Sequence, residues 1–252
     1  MAKSLSPDIR KFPNLESLSR AAANVIVETV HGAIANKGRF TLALSGGNTP
    51  RTLYSLLASK YRDKIPWASV HLFWGDERYV PKDHKESNYA IVYQTLISKL
   101  SIPPQNLHPI PIEMENPEKT AASYEEHLRE FFQFSKTDES SQTFDLIILG
   151  VGEDGHTASL FSGNPVLAER GRWVASVLAP STYQTRQRIT LTLPVINRAE
   201  TVFFLVSGTK KKEVVNAILK DQETAKKLYP AAMVRPKGRA VWFLDAEAAS
   251  GP

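Results

Sequence analysis

A chain of 252 residues with 42% hydrophobic side chains and a formal net charge of +5 can bury one substantial core and leans toward anionic partners. It contains no cysteine, which excludes disulfides, thiolate nucleophiles and Cys-ligated zinc and suits a reducing compartment, cytoplasmic or, behind a removed transit peptide, plastidic. No apolar h-region opens the sequence and no apolar run is long enough to cross a bilayer, so neither secretion nor membrane residence is expected.

In chain order, Leu15, Leu18, Ala22, Val25, Ile26 and Ala33 repeat with a helical period over residues 15–36. Residues 40–44 read as a buried strand, followed by Ser45-Gly46-Gly47-Asn48-Thr49 and a helix predicted over 49–60. Pro50 falls at an early position of that helix, where a missing N–H is harmless. A strand over 70–74 runs into Gly75-Asp76-Glu77-Arg78, and helices are predicted over 88–100 and 117–134. The polar stretch 135–143 reads as a surface loop. Residues 144–149 are almost unbroken apolar, as a strand covered on both faces should be. Strands over 173–178, 189–193 and 202–206 follow, then a helix over 210–220 and a last strand over 241–244. Alternation of this kind predicts one α/β domain over 1–252, a mostly parallel, doubly wound (Rossmann-like) sheet with helices on both faces. Ligands of such sheets bind beyond the carboxyl ends of the strands, where the three polar loops would gather.

Each loop carries distinct chemistry. Ser45-Gly46-Gly47-Asn48-Thr49 joins flexible backbone, hydroxyls and a helix N-terminus, a phosphate cradle without Walker A spacing. The alternative is an ordinary turn capped by Asn48 or Thr49. Asp76, Glu77 and Arg78 set two carboxylates and a guanidinium straight after a buried strand, either as a surface ion cluster or as a wall that holds substrate oxygens. Gly150-Val151-Gly152-Glu153-Asp154-Gly155 matches G-x-G-x-x-G literally, but Glu153 and Asp154 would repel a pyrophosphate, and the helix after them is too short for a dinucleotide unit. What the loop does supply is Asp154 two residues before His156. A carboxylate can orient an imidazole that takes a proton from water, and the N–H groups of Gly152 or Gly155 are candidate oxyanion donors. Ser159, taken as helical, reads as a packing residue. No spaced ligand cluster suggests a metal. Arg186, Arg188 and the run Lys210, Lys211, Lys212 add cations near strand ends. No aromatic residues interleave with the lysines, which argues against nucleic acid.

The blocks Leu44 to Pro50, Trp74 to Pro81 and Leu149 to Phe161 resemble those of the 6-phosphogluconolactonase family. So do Arg188-Ile189-Thr190-Leu191-Thr192, Ser207-Gly208-Thr209-Lys210-Lys211 and Trp242-Phe243-Leu244-Asp245, in the family's order over nearly the whole chain. The resemblance implies hydrolysis of 6-phospho-D-glucono-1,5-lactone, with a small phosphorylated lactone as partner, no metal or organic cofactor, and a monomer or weak homodimer. By position it implies His156 as general base, Asp154 as its acidic partner and Arg78 beside the reacting sugar. Ser45, Gly46, Gly47, Asn48 and Thr49 fall on the phosphate loop, Arg188 and Lys211 on further phosphate contacts, and Asp76 and Gly152 beside the substrate. Glucosamine-6-phosphate deaminases of the same superfamily are the rival. Their pattern has a glutamate five residues after the histidine, where this chain has Phe161, and a tyrosine where it has Arg78. A sugar-phosphate-sensing regulator is the third class, and it would need a DNA-binding extension.

Overall fold

The computed structural model describes residues 7–112, 115–133 and 143–249. Seven strands form a parallel sheet in the order β1-β10-β9-β6-β2-β3-β5. They are β1 (Asp8–Phe12), β2 (Phe40–Leu44), β3 (Val70–Trp74), β5 (Leu107–His108), β6 (Leu146–Leu149), β9 (Thr201–Val206) and β10 (Arg239–Asp245). Three more, β4 (Asp76–Arg78), β7 (Val174–Leu178) and β8 (Gln187–Leu191), form a small antiparallel sheet in the order β4-β8-β7. The expected fold class is therefore present. The stretch 135–143 lies, except for Thr143, outside the described residues.

The helices are α1 (Leu15–Lys37), α2 (Asn48–Leu57), α3 (Asn88–Thr95), α4 (Pro117–Phe131) and α6 (Lys212–Lys220), with single turns α5 (Leu193–Ile196), α7 (Gln222–Ala225) and α8 (Ala246–Ala249). Local chemistry sets their limits. Asn14 caps α1 by accepting from the Ser17 N–H, and Gly38, at φ 75°, ends it in the left-handed conformation. Asn116 caps α4 in the same way, with Pro117 at the first position. The helix expected over 210–220 opens as a 3₁₀ turn at Thr209–Lys211 before α6.

Every residue of β2, β6 and β9 is buried, as central parallel strands require. From β2 the chain steps outward to β3 and β5. It then returns to β6 on the other side of β2 and steps the opposite way through β9 to β10. With right-handed crossovers these two directions put α2 and α6 on opposite faces. The β2–β6 join is thus the topological switch. Its ladder is short, pairing only Leu42 with Leu146 and Ala43 with Ile147. Side chains extend it at the amino end: the buried Asp145 carboxylate accepts from the Thr41 N–H and hydroxyl, both at 2.8 Å, and from Lys37 at 2.5 Å.

Two segments depart from expectation. Asp76–Arg78 is a strand rather than a loop, because β8 pairs with it from far along the chain. Ser159 lies in no helix. Residues 157–160 close a tight bridge with Ala158 at φ 48°.

The β3–β5 edge carries a row of imidazoles. His71 Nδ1 meets His108 Nε2 at 3.0 Å, and His108 Nδ1 meets His127 Nε2 at 2.8 Å, with Phe73 stacked on His108. Burial, and then the neighbouring imidazoles His127 and His71, push His108 down to about 3, and burial also lowers His71 and His127. Because the unfolded chain takes up these protons near 6.5 and the folded one refuses them, this contribution to stability is complete above about pH 6.5 and is lost as pH falls toward 3. Urea titrations from pH 7 to 4 are expected to show stability falling by about 1 kcal/mol per pH unit for His108 alone. His108→Phe should flatten that slope.

Candidate active site

Four adjacent strands, β9, β6, β2 and β3, end on one edge of the sheet. The loops that follow them, with β4, enclose a cleft of about 610 Å³ at the switch point. The three loops singled out in the sequence converge there.

One end of the cleft is built to receive an anion. Gly47, at φ 96°, occupies the N-cap of α2 and makes no side-chain cap bond. Neither Asn48 nor Thr49 caps the helix; both lie within it, on the cleft wall. The first-turn N–H groups of α2 therefore have no intrahelical acceptor. Ser45 is held by the buried Tyr54, whose hydroxyl receives the Ser45 N–H and donates to its carbonyl, while the Ser45 Oγ is buried without a partner. Gly46 has to be glycine: a Cβ there would sit 1.7 Å from Asn88 Oδ1. Across the cleft Gly208, at φ 98°, starts the turn that carries Lys210 and Lys211. Buried Asp245 fixes that turn by accepting from the Ser207 hydroxyl, the Gly208 N–H and the Ala248 N–H. Lys210 is exposed and pairs with Glu153 at 3.6 Å. Lys211 is half-buried on the wall, and burial lowers its pKa despite Glu153 and Asp154. Lys212 is not on the wall.

The loop after β6 supplies the titratable pair. His156 Nδ1 lies 2.5 Å from Asp154 Oδ1, and Asp154 also accepts the His156 N–H at 3.2 Å. Burial raises the Asp154 carboxyl, but the hydrogen bond and charge of His156 together outweigh it and hold it down at about 2. A carboxylate at that distance accepts the Nδ1–H and leaves Nε2 as the basic nitrogen, on a ring that lines the cleft. Gly152 makes the pair possible, since a Cβ there would fall 2.0 Å from His156 Nδ1 and 2.5 Å from Asp154 Oδ1. The expectation that Gly152 or Gly155 donates to an oxyanion is corrected. Gly152 N–H is spent on the His156 carbonyl at 2.8 Å, and Gly155 N–H on the Gly152 carbonyl at 3.1 Å.

The third wall is β4. Alternation along a strand turns Asp76 and Arg78 to the cleft and Glu77 away from it. Glu77 is buried under α3, accepting from Asn88 and Tyr89 N–H groups at 2.7 Å and from Ser87. Burial pushes its carboxyl up to about 7 against these donors. Asp76 is bonded to Asn88 Nδ2 and to Ser159 Oγ at 2.7 Å, so Ser159 positions a carboxylate rather than merely packing. Arg78 donates to the Glu86 carbonyl, and its Nε has no partner. Arg188 stands directly opposite Arg78 in the β4–β8 ladder. It is buried beside Arg78 and bonded to the Thr185 carbonyl at 2.8 Å, and among the expected phosphate contacts it is the one that does not line the cleft. Burial, then the Arg78 charge, lower its pKa. Sequence reasoning passed over Asn88, Tyr183 and Asp245. Only Asp245 carried a signal, in Trp242-Phe243-Leu244-Asp245.

Comparison with known proteins gives the family and the fold. The family model described as glucosamine-6-phosphate isomerases/6-phosphogluconolactonase matches residues 13–242. A 6-phosphogluconolactonase of Synechocystis is 38% identical over 244 residues, 97% of this chain and 98% of its own length. One from Rattus norvegicus is 41% identical over 246 residues, 96% of this chain and 92% of its own. The solved 6-phosphogluconolactonase from Trypanosoma brucei superposes with a TM-score of 0.85 at 30% identity, covering 97% of this chain and 98% of that one.

Gly152→Ala tests the local geometry. The added methyl is expected to part His156 from Asp154, read as loss of the downfield Nδ1–H proton resonance, while global stability falls by no more than about 1–3 kcal/mol.

Proposed function

The chain belongs to the family of glucosamine-6-phosphate isomerases and 6-phosphogluconolactonases, and from that premise we propose how it hydrolyses 6-phospho-D-glucono-1,5-lactone to 6-phospho-D-gluconate: His156 activates the attacking water. It is an enzyme of the lactonase type, serving the oxidative pentose phosphate pathway. One observation carries the mechanism. An imidazole whose Nδ1 is held by a carboxylate lines the same cleft as an uncapped helix N-terminus and a half-buried lysine.

The 6-phosphate rests on the Ser45, Gly46, Gly47, Asn48 and Thr49 loop and on Lys211, so binding energy at the phosphate becomes orientation at C1. Water, deprotonated by His156 Nε2, attacks C1. Asp154 stabilises the imidazolium as it forms, and Arg78 faces the negative charge that develops on the carbonyl oxygen. The imidazolium then returns the proton to the departing ring oxygen, which opens the lactone. Asp76 and Asn88 hold sugar hydroxyls. Arg188, buried beside Arg78, adds positive potential to that wall. A deaminase would need a second acid beside the histidine, whereas the buried Phe161 packs its ring 4.8 Å from that of His156. We read the chain as one domain working in a reducing compartment, cytoplasmic or plastidic, on a small-molecule substrate and without nucleic acid.

His156→Ala should lower turnover by roughly 10²–10⁴-fold, after subtraction of spontaneous hydrolysis, with circular dichroism unchanged. Near-parent turnover would overturn the assignment of the base. Lys211→Ala is expected to raise KM for the phosphorylated lactone about tenfold or more, with a much smaller change in kcat. The same assay on glucosamine 6-phosphate discriminates the rival, for which ammonia release is the signature.

A further inference from the structure

The hairpin between β7 and β8 reaches back over the loop after β6. It is closed by the Ala179 N–H on the Arg186 carbonyl at 2.8 Å, and a turn is drawn tight by the Tyr183 N–H on the Pro180 carbonyl at 3.1 Å. Its tip is fastened to the β4 side by the Thr185 hydroxyl on the Glu86 carboxylate. This arrangement delivers Tyr183, which does not line the cleft, to the titratable pair. The phenol Oη donates to Asp154 Oδ2 at 3.3 Å and lies 3.2 Å from His156 Nδ1. The ring stands edge-on to His156, with centroids 5.6 Å apart and planes at 88°, and 5.2 Å from Phe161. The guanidinium of Arg188 lies over the ring at 5.6 Å.

We propose that Tyr183 is a positioning residue of the Asp154–His156 pair, its hydroxyl occupying the second oxygen of Asp154 and its ring walling the imidazole. The inference rests on His156 being the base. Asp154 is half-exposed, and both of its contacts to His156 fall on Oδ1, so nothing from His156 holds Oδ2. A donor on Oδ2 fixes the carboxylate plane and keeps Oδ1 on Nδ1, the arrangement that makes Nε2 basic. The charged groups around the phenol are Asp154 and Glu153 from the β6 loop and Arg188 from β8, with Lys211 near Asp154 from the β9 loop. Burial and the Asp154 charge push the phenol up to about 12, so it remains a donor across the working range. Arg188, over the same ring, links the Arg78–Arg188 pair to the base.

Tyr183→Phe keeps both ring contacts and removes only the hydroxyl. Without that donor the Asp154 carboxylate is free to turn off Nδ1 and stabilises the imidazolium less, so the His156 titration moves to lower pH. The experiment follows the His156 ring by ¹⁵N–¹H NMR as a function of pH in the parent and in Tyr183→Phe, beside kcat, KM and the kcat/KM–pH profile. Expected are a downward shift of about half a pH unit in both the ring titration and the acid limb, kcat lower by about fivefold, and KM within twofold. Tyr183→Leu, which also loses the wall, should lose more in kcat, and Phe at 183 should recover part of that loss. A ring titration and an acid limb both unmoved in Tyr183→Phe would overturn the proposal. If instead the ring titration shifts while His156→Ala keeps full activity, Tyr183 positions the pair but the pair is not the base.

Discussion

β2 and β6 lie side by side and point the same way, yet the parallel sheet continues from them in opposite directions, through β3 on one side and through β9 on the other. That divergence is the constraint from which the site follows. It opens a crevice flanked by the start of α2 and by the loop after β6, and it exposes the unpaired N–H groups of one to the imidazole of the other. Close packing elsewhere keeps the crevice in register. Strand residues on both sides are fully buried, and Asp145 continues the short β2–β6 ladder with side-chain hydrogen bonds at its far end. Fixing the amino ends sets the spacing at the carboxyl ends, since a parallel pair behaves as one rigid unit.

Electrostatics divide the cleft into two regions. Lys211, the α2 N-terminus and Arg78 give one part a positive potential, and Arg188 reinforces it from a buried position directly opposite Arg78. Two guanidinium groups paired across a ladder are unfavourable in the empty protein, and an anion brought between or before them relieves that repulsion. The acidic residues are kept from cancelling this field by being used. Glu77 is consumed by the start of α3, Asp76 by Asn88 and Ser159, Asp154 by His156 and Tyr183, and Glu153 by Lys210.

Much of this was legible in the sequence because it rests on local pattern. The buried strands announce themselves as continuous apolar runs, and the glycines mark the places where backbone has to come close to something. Gly46 and Gly152 are such places, although only the structure identifies Asn88 and His156 as what they approach. The strand β4 was not legible. Three polar residues carry no period, and their pairing with β8 is a tertiary event. The first strand, β1, was missed because Asp8, Arg10 and Lys11 mask its alternation. Ser159 was misread because the run from Thr157 to Phe161 has helical composition, whereas Ala158 takes a positive φ that breaks the turn. Tyr183 had no signal at all, since it sits in a polar hairpin tip whose importance arises from where the hairpin lands.

Gly75 is the single residue between β3 and β4, and its two backbone groups belong to different sheets. Its N–H bonds to the Leu44 carbonyl of β2, and its carbonyl receives the Leu191 N–H of β8, both at 2.8 Å. The small sheet therefore inherits its register from the large one. Sliding β8 by one position would turn Thr190 and Arg188 to the wrong faces and strand a buried carbonyl. The Gly75 junction has no room to lengthen or shorten. An insertion or deletion there would misalign the antiparallel wall against an otherwise intact parallel sheet, leaving a folded protein without a working cleft.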